Sequence, residues 1–121
     1  MKWINRHDMP QVDEKDLPRL VADSVSTCGC EFAVADPHTL HAHQRVQHDK
    51  AVHMPRDVVA KPIVVSADGY ILDGHHRWYA HKLSGDPLLT IRLALQFEEA
   101  LDWLLKLPYT YKLTNTTPIR N

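Results

Sequence analysis

The sequence predicts an α+β fold, a single small domain in which helices pack on a mixed β-sheet. Three observations carry that prediction. The chain has 121 residues, enough to close one hydrophobic core and too few for two. Two apolar runs at 63–66 and 88–95, one continuous and one alternating, have the composition of strands. Two further segments, 75–84 and 97–107, have helical character and explicit stop signals, Gly85 for the first and Pro108 for the second.

The elements follow in chain order. Residues 14–24 form a helix, with acidic residues leading and Leu17, Leu20 and Val21 on one face. Pro18 requires that helix to begin close to it. A turn at 27–29 opens a strand at 30–35, and Asp36 to Thr39 is a second turn. Residues 46–59 are a weaker helical stretch that Pro55 interrupts. The strand at 63–66 turns through Ala67, Asp68 and Gly69 into a partner strand at 70–72. Asp73 and Gly74 end the hairpin and a helix starts at once, with Trp78, Ala80 and Leu83 as its core-facing positions. The strand at 88–95 and the closing helix complete a domain over residues 1–113, and 114–121 read as a polar tail.

Composition narrows the function classes. Apolar residues make up 44% and charged residues 24%, the profile of a globular chain. The 14 basic and 15 acidic side chains balance to a net charge of -1, which argues against a protein that coats nucleic acid through a general basic surplus. Nine histidines make that balance sensitive to pH. No apolar run approaches the roughly 20 residues that span a bilayer, and the first eight residues lack the apolar stretch of a secretion signal. A cytoplasmic protein with no membrane partner is expected. Cys28 and Cys30 stand too close in sequence for a relaxed mutual disulfide.

The chemistry concentrates at residues 73–77, Asp-Gly-His-His-Arg. An apolar strand delivers the chain into Asp73 and Gly74, and Gly74 permits a positive φ or close backbone approach. The first N–H groups of the new helix have no intrahelical acceptor, and their dipole favours an anion. His75, His76 and Arg77 add donors at the same place, and the Arg77 fork suits phosphate. Asp73 supplies a carboxylate for a metal or a proton. The plainer reading makes Asp73 a helix cap and the two histidines solvated surface.

Residues 62–65, 68–80 and 83–85 resemble the core of the ParB/sulfiredoxin superfamily, whose members run Pro-Ile, strand, turn, strand, a Gly-containing loop ending in Arg, then a helix. The Asp-Gly-His-His-Arg variant is most similar to the free serine kinases of that fold, which transfer phosphate from ADP or ATP to L-serine. The resemblance covers about residues 30–100. It implies a ParB/sulfiredoxin-like domain that binds ATP or ADP, with CTP as the ParB-like alternative, together with Mg²⁺. Gly74, His75, His76 and Arg77 would hold the phosphates, Asp73 would sit at the transfer site near the metal, and Lys61 would lie by the same groove. A second family segment matches residues 40–46. There His43 is retained, but Gln44 stands where the serine kinases carry the glutamate that resembles a general base, and Gln44 with Arg45 is closer to the ParB pattern. An amide accepts no proton at neutral pH. The catalytic candidates are therefore Asp73, His43 and His75, and Lys61, Gly74, His75, His76, Arg77, Gln44 and Arg45 are the nucleotide-binding candidates. The acceptor would be a small molecule or nucleoside carrying a hydroxyl.

Other classes stand beside this phosphotransferase. Sulfiredoxin chemistry needs a cysteine where His75 stands. A ParB-like nuclease would place Asp73, His75 and His76 around a divalent ion, and a DNA-binding accessory protein of phage or plasmid type would use the fold without turnover. Cys28, Cys30, His38, His41 and His43 include enough soft ligands for zinc, but their spacing is not that of a standard finger.

Overall fold

The structure, a computed structural model, describes residues 9–42 and 46–111. The expected polar tail at 114–121 and the segment 43–45 lie outside the described residues.

The domain is α+β with a four-stranded mixed sheet. Its helices are α1 (Leu17–Ser26), α2 (His48–Val52), α3 (Arg56–Val59), α4 (His75–Ser84) and α5 (Phe97–Leu105). Its strands are β1 (Cys30–Ala35), β2 (Ile63–Val65), β3 (Ile71–Asp73) and β4 (Leu88–Leu93). The strand order is β1-β4-β2-β3. β4 runs antiparallel to β1 and parallel to β2, while β2 and β3 form the antiparallel hairpin. That hairpin turns where Gly69 donates its N–H to the Ser66 carbonyl and the Ser66 hydroxyl bonds Asp68.

Strand alternation divides the interior into two cores. On one face Val64, Leu72, Ile91 and Leu93 meet Leu17 and Leu20 of α1 and Phe97, Ala100 and Leu104 of α5. On the other, Ile63, Val65, Ile71 and Leu88 meet Leu40 and Trp78 of α4. Each fully buried Leu or Ile contributes about 1.5–3 kcal/mol relative to exposure, so both cores matter to a domain of this size.

Local chemistry explains the helix ends. A 3-10 turn at Glu14–Asp16 leads into α1, and Pro18 sits in the first turn, where a missing N–H costs nothing. Helix α5 opens with the Gln96 N–H bonded to the Glu99 carboxylate at 3.3 Å. It ends at Leu105 rather than at 107, because Lys106 and Leu107 already bond in tighter turns to Trp103 and Leu104. The interrupted stretch at 46–59 resolves into α2 and α3 on either side of Pro55. Strand β4 stops two residues short of 95. Leu83, expected in the core, is 49% exposed, and Trp78 is the buried anchor of α4. Its indole N–H donates to the Pro37 carbonyl at 2.7 Å. That carbonyl belongs to a 3-10 turn capped by Asp36, whose carboxylate accepts from the His38 N–H at 2.9 Å and is held below the usual carboxylate range chiefly by that bond.

Candidate functional site

Strand β3 carries the chain to Asp73, Gly74 turns it, and α4 begins at His75. Gly74 has φ +101°, in the left-handed region that favours glycine. A Cβ there would lie 2.5 Å from Ile63 Cγ2 and 2.9 Å from Arg77 Nη2. The turn therefore presses against β2 with no room for a side chain. This packing sets the position of the first N–H groups of α4, which a longer loop would leave loose.

The residues that begin α4 line a cleft of about 230 Å³. Asp73, Gly74, His75, His76 and Arg77 form one wall, and Gln11 and Lys50 add polar groups. Met54 and Val58, from the α2–α3 region, supply apolar surface. The five consecutive residues picked out by sequence therefore share one cavity.

Two of the candidate residues have contacts within the protein. Arg77 is first a brace. Its Nη2 donates to the Pro62 carbonyl at 3.3 Å and lies 3.5 Å from Asp73 Oδ2, tying the loop to the start of β2. Both side chains are largely buried. Arg77 Nε is buried and has no hydrogen-bond partner among the described residues. Lys61 also has a protein partner. It pairs with Glu14 at 2.5 Å and is not part of the cleft wall. Lys50 of α2 is the lysine that lines the cleft. Sequence reasoning missed Lys50 because it lies in a short polar helix with no motif around it, and only the packing of α2 against α4 brings it to the cleft.

His75 is 3% exposed, so it belongs to the interior wall and is not solvated surface. His76 Nε2 accepts the Gln47 N–H at 3.2 Å, which in the neutral ring leaves the proton on Nδ1 and links the start of α4 to the residue before α2. His43, Gln44 and Arg45 lie outside the described residues. His41 stacks on Tyr70 at 4.9 Å and is not in the cleft wall. Cys28 and Cys30 are free thiols, and the His38 ring faces Asp36. Among the described residues no three His, Cys, Asp or Glu side chains are grouped as a metal site, whether around Cys28 or around Asp73. Also among them, no helix is long and apolar enough to cross a membrane.

Asp73 suits the way Mg²⁺ is usually held beside nucleotides, by one or two protein carboxylates with phosphate oxygens and waters completing the shell. Compared with protein-family descriptions, curated proteins and solved structures, the chain matches none.

Proposed function

We propose that the cleft binds the phosphate end of a nucleotide, ATP or ADP with CTP as the alternative, and that the protein passes a phosphate to a hydroxyl of a small molecule or nucleoside. The observation that carries this reading is the convergence on one cleft of the α4 N-terminus, Lys50, His75, His76 and Arg77. Donors and positive charge gathered at a helix start favour phosphate. The likeness of the 73–77 loop to the free serine kinases points the same way. At about 230 Å³ the cleft suits phosphate groups, and the nucleoside would extend beyond it.

Phosphoryl transfer asks a protein mainly for positioning and charge neutralisation. The first N–H groups of α4 and the Lys50 ammonium orient the phosphates. His76, whose Nε2 accepts the Gln47 N–H, stands in the same wall. Asp73, held by Arg77, takes the proton of the attacking hydroxyl. Mg²⁺ bound by Asp73 and the phosphate oxygens would offset the charge on the transferred group.

The test is calorimetric titration with ADP, ATP and CTP in the presence of Mg²⁺, on wild type and on Lys50→Ala. Loss of one charge-assisted phosphate contact should weaken binding by about 10- to 100-fold, and leave the thermal midpoint nearly unchanged because Lys50 is exposed. A wild-type protein that binds none of the three nucleotides would overturn the proposal. Asp73→Asn should bind nucleotide and fail to turn over.

A further inference from the structure

Strand β1 is an edge of the sheet, paired on one side with β4 and with no strand on the other among the described residues. Natural edges are usually blunted by charge, proline, bulges or a covering segment. Here two of the alternating positions are apolar and exposed, Phe32 at 57% and Val34 at 69%. Leu89, opposite Val34 on β4, is 39% exposed. These three side chains share the face of the α1–α5 core, because Phe32 stands opposite Ile91 and Cys30 opposite Leu93. They form an uncovered continuation of that core at the sheet edge.

We infer that β1 is the self-association edge of this protein, pairing antiparallel with β1 of a second copy to make one continuous eight-stranded sheet.

Backbone polarity fixes the register. The Gly29 carbonyl accepts the Ala94 N–H at 2.9 Å, so by alternation residues 31, 33 and 35 turn their hydrogen-bonding groups toward β4. Residues 30, 32 and 34 turn theirs outward. A two-fold axis normal to the sheet at Ala33 then sets Phe32 against Val34 of the second copy. Both are outward-facing residues, and they exchange their N–H and C=O groups as a close pair. In the same register Glu31 faces Ala35, and Asp36 faces Cys30, so no like charges meet. The two Phe32 and two Val34 side chains gather on one face and extend toward Leu89 of each copy. Three partly exposed apolar side chains per copy with the edge backbone make a contact smaller than the roughly 1,200–2,000 Å² of stable interfaces, so the association is weak. A reversible dimer with a dissociation constant on the order of micromolar is expected.

Sedimentation equilibrium of the full chain from micromolar to millimolar concentration tests this. Wild type should dimerise, and Phe32→Lys and Val34→Lys should each weaken the dimer about tenfold or more, with unchanged circular dichroism because both positions are exposed. Hydrogen exchange supplies the second readout. The amides of Phe32 and Val34 should become protected as concentration rises. A wild type that stays monomeric throughout overturns the inference. So does a dimer that both lysine variants leave intact, or one in which the Phe32 and Val34 amides exchange as fast as in the monomer.

Discussion

Replacing Gly74 by alanine tests the link between backbone and site most directly. Two penalties act together. At φ +101° an alanine carries the left-handed penalty of about 1–2 kcal/mol. Its Cβ would also stand 2.5 Å from Ile63 Cγ2, in a fully buried strand residue that has nowhere to move. Overpacking of that kind costs about 1–3 kcal/mol. The two together reach about 2–5 kcal/mol, a large share of the stability of a small domain. For 121 residues this corresponds to a fall in Tm of roughly 10–20 °C. Gly85→Ala is the internal control. Gly85 has φ +80°, but nothing lies within 4 Å of its added Cβ, so it carries the backbone penalty alone. Urea and thermal unfolding of the two variants, followed by circular dichroism, should differ by the packing contribution. If Gly74→Ala is no less stable than Gly85→Ala, the close approach of the loop to β2 is wrong. The same variant should lose nucleotide binding even where it remains folded, because the first N–H groups of α4 would be displaced.

Other outcomes follow from single contacts. Arg77→Ala should lower stability as well as weaken nucleotide binding, since it breaks the ties to Pro62 and Asp73. Unfolding and calorimetry on one sample would separate the two effects. Trp78→Phe leaves the Pro37 carbonyl without its indole donor and should cost about 1–3 kcal/mol in urea unfolding. Tyr109→Phe removes a 2.7 Å bond to Asp23 and should cost about 1–2 kcal/mol. Burial, and then that bond, push the Tyr109 hydroxyl pKa upward. Its contribution is therefore complete below about pH 10 and is lost above it as the unfolded-state tyrosine ionises, so wild type and Tyr109→Phe should converge in stability at strongly alkaline pH. Lys61→Ala should change stability by less than about 1 kcal/mol and leave nucleotide affinity unaltered, because its partner is the exposed Glu14 carboxylate.

Much of this architecture was legible before any coordinates. The hairpin showed itself through Asp68 and Gly69 between apolar runs, and α4 through the abrupt start after Gly74 and the stop at Gly85. These signals are local. A glycine with positive φ or a proline in a first turn acts on its own few residues, so neighbouring sequence suffices to read it. The motif at 73–77 was legible for the same reason, since five consecutive residues on one strand-turn-helix must share a place. Leu83 is exposed because α4 buries only a narrow face, His75 and Trp78, near its start.

The sequence by itself determined the α+β class, the sites of the turns and the glycine-hinged loop that starts α4, because each depends on contacts within a few residues. Tertiary structure alone decided the strand order β1-β4-β2-β3, the exposed apolar edge of β1, and the cleft partners. Lys50 rather than Lys61 faces the loop, and Arg77 braces it against Pro62. These outcomes come from long-range packing. Which strand lies beside which, and which lysine the packing of α2 carries to the mouth of α4, are settled by burial of two separate cores across the whole chain, a condition that no short stretch of sequence expresses.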